Sequence, residues 1–164
     1  MRFVSTGNVI TKIKPLKNKV NIYFDNEEKI EITQEAFLST YLYVGKELTK
    51  KEIEKILSIS NMEKALKYAL SIVKKSVTTE WNLRSKLYQK DYEKSDVDAV
   101  IKFLKRHDLL NDSAFIEDYI EYGKEMLYGK NKIIVELKKK GIFEENLKKV
   151  HFPKSIEEEK AKKL

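Results

Sequence analysis

The first third of the chain alternates between residues that favour a buried face and residues that favour water. Val9, Thr11 and Ile13 lie two positions apart, and the apolar residues of 20–24 follow the same period. This alternation is typical of half-buried β-strands. Residues 25–27 then turn the chain into a further short apolar segment. The pattern predicts a small N-terminal antiparallel β-hairpin or three-stranded sheet, which has to pack on helices because it encloses too little core by itself.

From Thr33 onward the apolar residues recur every three or four positions, which is the period of an amphipathic α-helix. A first short helix is predicted to end at Gly45 and to carry an apolar face formed by Phe37, Leu38, Tyr41 and Leu42. Thr49 and Glu52 match a capping box, in which a hydroxyl and a carboxylate satisfy amides that the first turn of a helix leaves unpaired. A second helix is therefore predicted to begin at Thr49.

Beyond residue 61 the same order of helices occurs twice. Helices are predicted to begin at residue 62, Thr79, Ser95, Asn111 or Asp112, Gly129 and a position shortly before Leu147. The helix after Asn111 is predicted to carry its apolar face on Phe115, Tyr119, Tyr122 and Met126. A shift of 50 residues places Leu83 on Ile133, Leu87 on Leu137, Tyr92 on Ile142, Val97 on Leu147 and Val100 on Val150. These correspondences predict a mainly α-helical fold of tandem three-helix repeats that form an elongated curved array.

The pattern divides the chain into four segments. We predict an N-terminal part of strands and short helices at 1–60, a first three-helix repeat at 61–110 and a second at 111–152. The segment 153–164 is predicted to be the start of an incomplete third repeat, with a charged helix from Ser155 to Leu164.

Composition excludes most catalytic chemistry. The chain has 33 basic and 26 acidic residues, a net charge of +7, no cysteine and only two histidines. Disulfides, thiolate catalysis and sulfur-based zinc sites are therefore excluded, and the sequence has no glycine-rich phosphate loop. Acidic pairs such as Glu117 and Asp118 lie near lysines, as they do on solvated helix faces. We therefore predict no catalytic residue, no metal site and no cofactor, and a protein that is not an enzyme.

The apolar runs are too short to cross a bilayer, and the first ten residues lack the apolar stretch of a signal peptide. These features predict a cytoplasmic protein that has no membrane partner.

The basic residues are the remaining candidates for binding. Those in and around the first two helices of each repeat are Lys74, Lys75, Arg84, Lys86 and Lys90, and then Lys130, Lys132, Lys138, Lys139 and Lys140. Repeated positive faces can bind a polyanion or an acidic protein groove, in a manner that salt weakens. Lysines that only solubilise helices give the same pattern, and both interpretations stay open. Trp81 either anchors packing or stacks on a base.

Several segments together resemble the RecX family of regulatory proteins. In chain order they are residues 21–25, 44–48, 83–87, 109–112, 128–130 and 136–142. The most specific section runs from Leu-Leu-Asn-Asp at 109–112 to Glu-Leu-Lys-Lys-Lys-Gly-Ile at 136–142. The front part is similar to the N-terminal extension of RecX proteins from Gram-positive-like bacteria. Two features depart from the family: Asn82 stands where a capping-box Glu is usual after Thr79, and the sequence ends at Leu164, within the first helix of the third repeat that RecX-like chains usually have.

The resemblance implies a non-enzymatic protein that binds the filament of the recombinase RecA on DNA and inhibits it, in recombination, DNA repair and the SOS response. We also predict a monomer whose direct binding to single- or double-stranded DNA is weak and salt-dependent. The alternative is a basic helical DNA-binding module that acts through phosphate contacts. An enzyme is a third possibility, which reproducible turnover by the purified chain would favour.

Overall fold

A computed structural model of the protein describes residues 7–156. Within these residues the strands are β1 (Gly7–Pro15), β2 (Lys19–Phe24), β3 (Lys29–Thr33) and β4 (Glu47–Thr49). The helices are α1 (Gln34–Ser39), α2 (Lys50–Lys75), α3 (Glu80–Gln89), α4 (Lys94–Arg106), α5 (Asp112–Glu125), α6 (Lys130–Lys139) and α7 (Glu144–Lys148). The chain divides after Tyr68, inside α2, into two compact units, the N-terminal unit and the C-terminal unit.

The N-terminal unit contains an antiparallel sheet with strand order β3-β2-β1-β4. The predicted small antiparallel sheet is confirmed, and it has one strand more than predicted. The additional strand, β4, pairs with the start of β1 through Leu48 opposite Asn8. A strand of three residues is too short to show an alternating pattern, so periodicity could not predict it.

A β-bulge changes which residues of β1 face the core. The register shifts between Ile10, which lies opposite Phe24, and Lys12, which lies opposite Tyr23. An extra residue in one strand reverses the phase of its alternation. Ile10 is therefore buried and Ile13 also packs on the core, whereas Thr11 is exposed. The prediction that Val9, Thr11 and Ile13 share one face was wrong for this reason.

The sheet packs on α1 and α2 through one apolar cluster. Its fully buried members include Ile22, Ile32 and Ala36, and Ile56 joins them from α2. The amide of Thr33, at the end of β3, donates to the buried Ser60 Oγ of α2 at 2.9 Å. This contact satisfies a buried amide and joins the sheet to the helix.

Helix α1 is shorter than predicted. It ends at Ser39, and the hydroxyl of Thr40 donates to the carbonyl oxygen of Ala36 at 2.8 Å. That oxygen would accept the Thr40 amide if the helix continued, so the side chain competes with the helical bond. Leu38 and Tyr41 are exposed, and their prediction as part of an inward apolar face was wrong.

The C-terminal unit confirms the tandem three-helix repeats. A shift of 50 residues carries α3 onto α6 over their whole length. The same shift carries the start of α4 onto the start of α7, and the end of α2 onto the end of α5. Leu83, Leu87, Ile133 and Leu137 occupy equivalent positions, and all four are fully buried.

Several helix boundaries differ from the prediction. Residues 49–57 and 62–77 were expected to form separate helices, but α2 is continuous because the intervening Ser-Ile-Ser-Asn contains no helix breaker. Helix α4 begins one residue before Ser95, with Glu93 as its N-cap. Helix α7 ends at Lys148, and Pro153 disfavours helical backbone at the residue before it. The helix predicted from Ser155 to Leu164 lies almost wholly outside the described residues.

The apolar face of α5 is centred one residue beyond the predicted one, and the predicted Phe115 and Tyr119 pack half-buried beside it. Ile116, Ile120 and Gly123 are buried, whereas Tyr122 and Met126 are exposed. Both stripes have helical spacing, so periodicity alone cannot choose between them. Gly123 decides the packing, because a Cβ there would lie 2.7 Å from Ile133 Cδ1.

Helices α3 to α6 end in one common motif. The residue after each C-cap has a positive φ: Asp91 (61°), Asp108 (55°), Leu127 (57°) and Gly141 (82°). The amide of the following residue donates back into the helix, as in the bond from Ile142 to the Leu137 carbonyl at 3.1 Å. This Schellman motif favours glycine at the positive-φ position, so Gly141 fits it without the strain that Leu127 carries.

Candidate interaction surface

Arg84 lies inside a network of ion pairs. Its Nε is 2.9 Å from Glu80 and its Nη1 is 2.6 Å from Asp98 on α4, and Lys105 also pairs with Glu80. Burial acts to lower the pKa of Arg84, but hydrogen bonds to Asp98 and Glu80 outweigh it and raise that pKa. The half-buried guanidinium is thus compensated by two carboxylates, and it links α3 to α4.

The four lysines predicted to bind from the first repeat lie at helix ends. Lys74 and Lys75 are exposed in the last turn of α2, and Lys90 is exposed at the C-cap of α3. Cations are favoured at these positions because the C-terminus of a helix carries partial negative charge. Lys86 is half-buried in the last turn of α3.

The repeats do not carry positive charge at equivalent positions. When α3 is placed on α6, Glu80 falls on Lys130 and Lys86 falls on Glu136. Along these two helices and their C-caps, basic residues coincide only at Lys90 and Lys140. The basic surface is therefore concentrated on α6, which contains four lysines and one glutamate and is followed by Lys140.

A row of aromatic side chains runs beside this helix. Phe115, Tyr119, Tyr122 and Tyr128 have successive ring centroids 6.3, 5.6 and 6.1 Å apart. The first three are spaced by four and three residues, which brings side chains together on one side of α5. We call these four residues the aromatic ladder.

Lysines of the α6 region lie over the ladder. The Nζ of Lys132 is 3.5 Å from the centroid of Tyr128, and that of Lys140 is 5.7 Å from the centroid of Tyr119. Both distances are within the range of cation–π attraction. The ammonium of Lys130 lies 5.1 Å from the Phe152 ring.

Two further lysines of α6 form exposed ion pairs. Lys139 is 2.9 Å from Glu136, and Lys138 is 3.7 Å from Glu144. Such pairs are weak in water, so both ammonium groups can exchange their partners for an external anion at little cost.

Two tyrosines of the ladder have a raised pKa. Burial raises the pKa of Tyr119, and the charge of Glu136 raises it further. A hydrogen bond with Tyr128 raises the pKa of Tyr122. The protonated Tyr119 hydroxyl can donate to a phosphate or carboxylate oxygen, whereas the hydroxyls of Tyr122 and Tyr128 are bonded to each other.

One end of the ladder adjoins the contact between the two repeats. A cavity of about 210 Å³ there is lined by residues 77–79, Trp81, Asn82, Phe115, Lys139 and Lys140. The hydroxyl of Thr79 donates to the Lys140 carbonyl at 2.6 Å, and it also caps α3 by accepting from the Asn82 amide. In a capping box, the side chain at the position of Asn82 would accept from the amide of Thr79. The side-chain amide of Asn82 instead donates to the hydroxyl of Thr78.

Trp81 packs on the second repeat and still leaves half of its surface exposed. A Cβ added to Gly141 would overlap the Cβ and Cγ of Trp81. The ring is 48% exposed, so an anchoring contact and an accessible face coexist.

Sequence reasoning found the lysines of α6 but not the aromatic ladder. Phe115, Tyr119 and Tyr122 were all predicted to lie on the apolar face of α5. Phe115 and Tyr119 are half-buried against the core, whereas Tyr122 is exposed. Within residues 7–156 no three acidic, histidine or cysteine side chains come together as a metal site. In that same range, no helix combines the length and apolar character needed to span a bilayer.

Comparison with known proteins gives a consistent family. No family model matches the chain. Regulatory protein RecX of Clostridium acetobutylicum is 36% identical over 140 residues, which cover 82% of this chain and 64% of that protein. Regulatory protein RecX of Clostridium beijerinckii is 32% identical over 139 residues, covering 83% and 65%. The chain thus spans slightly less than two thirds of the length of these relatives.

Solved structures agree in fold. A crystal structure of regulatory protein RecX covers 96% of this chain and 74% of its own, with a TM-score of 0.65 and 24% identity. RecX from Lactobacillus salivarius covers 52% of this chain and 56% of its own, with a TM-score of 0.51 and 25% identity. Since sequence matches and fold point to the same group, the chain belongs, over the residues matched, to the RecX family of regulatory proteins.

Proposed function

We propose that the chain binds the RecA–DNA filament and inhibits the recombinase, without enzymatic activity of its own. Membership of the RecX family supports a regulatory role, and the resemblance described above supplies RecA as the partner. The observation that carries the proposal is the basic surface of α6 beside the aromatic ladder. The chain acts as a monomer in the cytoplasm, where RecA filaments assemble.

The two parts of this surface have different tasks. The ammonium groups of Lys130, Lys132, Lys138, Lys139 and Lys140 attract a polyanionic assembly at long range. The exposed ring of Tyr122, beside the half-buried rings of Tyr119 and Tyr128, adds rigid aromatic contact area of a kind enriched at protein interfaces. Lys74, Lys75, Lys86 and Lys90 of the first repeat extend the positive potential, whereas Arg84 mainly holds its own repeat together.

Contacts spread over tandem repeats reinforce one another. Each repeat that is bound raises the effective concentration of its neighbour at the filament.

The surface is tested by charge reversal. In an assay of ATP hydrolysis by RecA on single-stranded DNA, we expect K132E combined with K140E to raise the concentration needed for half inhibition about ten-fold. The control is K102E, which reverses an exposed lysine on α4 and should leave inhibition within about two-fold. Unchanged inhibition by the double variant would remove α6 from the proposal.

A direct DNA-binding module is the second candidate, favoured by the density of lysines on α6. Such a module binds DNA tightly without RecA and loses affinity steeply as salt rises. A filament regulator needs RecA for tight binding and binds bare DNA weakly. Fluorescence anisotropy of labelled single- and double-stranded DNA, with and without RecA at several salt concentrations, separates the two.

A further inference from the structure

The N-terminal unit exposes a set of large apolar side chains within a few residues. Leu38, Tyr41, Tyr43 and Val44 are 77%, 88%, 55% and 59% exposed. Single exposed apolar residues are ordinary, but a contiguous group of this kind is typical of an interaction site. We call the segment 38–44 the apolar loop.

Hydrogen bonds hold the apolar loop in place. The amide of Gly45 donates to the Ile10 carbonyl at 2.7 Å, and the amide of Ile10 donates to the Lys46 carbonyl at 2.9 Å. Lys46 Nζ donates to the Tyr41 carbonyl at 2.5 Å, and Leu42 packs on the core of the unit. The exposed side chains are therefore presented by a fixed backbone, which lowers the entropy lost on binding.

Residues 39–42 of the loop, together with Lys46, form one wall of an apolar groove of about 320 Å³. Of the four exposed apolar side chains, Tyr41 lines this groove. The opposite wall is α2, which contributes Glu52, Lys55, Ile56 and Ile59 at helical spacing. Leu48 and Ile56 are buried at the base of the groove, and Tyr41 stands at its edge. A concave apolar surface of this kind suits the side chains of a helix laid along it.

The edge of the groove is positive. Lys46 and Lys55 both line it, and Lys51 lies one turn before Lys55 on α2. The carboxylate of Glu52 is bound to the Thr49 amide at 2.7 Å, and this hydrogen bond lowers the pKa of Glu52. Glu52 therefore stays ionised, so two lysines and one carboxylate line the groove, and the positive charges exceed the negative one.

We infer that this groove docks an acidic amphipathic helix of a protein partner. Apolar side chains of that helix enter the groove between Tyr41 and Ile59, and its carboxylates face Lys46 and Lys55. The inference goes beyond the proposed function, because it assigns a second interaction surface to the N-terminal unit and does not depend on α6. An anionic lipid surface also has charge complementary to the lysines, but a flat bilayer does not fill a concave groove.

The test uses a fluorescein-labelled peptide helix with leucines at i, i+3 and i+7 and glutamates on the flanking positions. We expect binding with a dissociation constant in the micromolar range, measured by anisotropy. Backbone amide shifts in an NMR titration are expected for residues 38–46 and the first half of α2. The loop variants Tyr41→Ser and Tyr41→Ala should each weaken binding about ten-fold, and Lys55→Glu should weaken it in a salt-dependent manner.

The control variant is Tyr88→Ser, which removes an exposed aromatic side chain from α3 and should leave the affinity unchanged. Circular dichroism of each variant checks that it is folded. The inference is overturned by absence of peptide binding, by equal binding of a peptide with lysine in place of glutamate, or by an unchanged affinity in the loop variants. It is also overturned if the loop variants abolish self-association of the chain or binding to phosphatidylglycerol vesicles and leave peptide binding intact.

Discussion

Gly141 ends α6 directly against Trp81 at the start of α3, so close that a side chain on Gly141 would occupy the space of the tryptophan Cβ and Cγ. Next to this contact, the hydroxyl of Thr79 donates to the carbonyl of Lys140. On the other side of Trp81, the amide of Glu80 donates to Asp112 Oδ1 at 2.9 Å. Three consecutive residues of the first repeat therefore bind the second repeat, and together they fix how the two repeats pack.

Gly141→Ala is expected to destabilise the protein by about 2–4 kcal/mol, the combined effect of a side chain at positive φ and of overpacking against Trp81. Urea unfolding followed by circular dichroism measures the change. The matched control is Gly129→Ala at the N-cap of α6, where an added Cβ meets nothing within 4 Å. Gly129→Ala should lower the free energy of unfolding by less than about 1 kcal/mol. Equal costs at the two glycines would show that the contact with Trp81 has no energetic importance.

Features that depend on residues close together in the sequence were predicted correctly. The capping box of Thr49 and Glu52 forms as predicted, with hydrogen bonds of 2.7 and 3.2 Å, and Thr79 and Asn111 both cap helices. These signals depend on residues three positions apart.

Features that depend on distant residues were missed. The bulge after Ile10 depends on pairing with β2, and the choice of α5 face depends on how closely Gly123 approaches Ile133. The candidate site followed the same rule. The positive charge of the sequence predicted α6 as a binding surface, but the exposure of Tyr122 depends on the packing of α5. The pairing of Arg84 with Asp98 depends on two separate helices.

The approach of α5 to α6 can be tested with a compensating pair. Gly123→Ala gains about 1 kcal/mol of helix propensity but loses about 1–3 kcal/mol by overpacking against Ile133. Ile133→Val removes the Cδ1 atom nearest the new methyl and alone should cost about 0.5–1.5 kcal/mol. The double variant should be more stable than the sum of the single effects by at least about 0.5 kcal/mol. Additive effects in urea unfolding would contradict the proposed contact.

Leu127→Gly is expected to stabilise the protein by about 0.5–1 kcal/mol, because Leu127 has φ 57° and is 59% exposed, so relief of backbone strain exceeds the loss of packing. Thermal unfolding by differential scanning calorimetry measures the gain. Leu127→Ala serves as the control, since it removes the same side chain and keeps a Cβ at positive φ. If alanine stabilises as much as glycine, the effect does not come from the Schellman motif.

Two carboxylates at the contact between repeats should respond to pH in opposite senses. Burial acts to raise the pKa of Glu80, but its bonds to Lys105 and Arg84 outweigh burial and lower it below the ordinary value. Burial raises the pKa of Asp112, and the negative charge of the Glu80 side chain raises it further. The hydrogen bond from the Glu80 backbone amide acts to lower that pKa but is outweighed. Ionised Glu80 therefore favours the folded state, whereas ionised Asp112 opposes it.

Glu80→Gln should lower the free energy of unfolding by about 1–2 kcal/mol at neutral pH. This loss should shrink as the pH falls from the ordinary pKa of Glu through the lowered pKa of Glu80. Asp112→Asn should stabilise by up to about 1 kcal/mol at neutral pH, since Oδ1 still accepts from Glu80. Its advantage should disappear as the pH falls through the raised pKa to below the ordinary pKa of Asp. Unfolding free energies at a series of pH values measure both trends, and trends of the same sign would refute the assignment.

The contributions of the Tyr122 ring and of its hydroxyl to filament binding can be distinguished by two substitutions. Tyr122 is 45% exposed on the aromatic ladder, so its replacement should leave the core of the C-terminal unit intact. We expect Tyr122→Ala to weaken binding to RecA filaments on single-stranded DNA about ten-fold, because it removes both the ring contact and the donor. Tyr122→Phe keeps the ring and should have an intermediate effect. Because the pKa of Tyr122 is raised, the difference in filament affinity between the tyrosine and phenylalanine proteins should be constant from pH 6 to pH 9.

The control is Tyr88→Ala on α3, which also removes an exposed ring. If Tyr88→Ala and Tyr122→Ala weaken filament binding equally, the effect is a general one of surface aromatics and the ladder is not the contact surface.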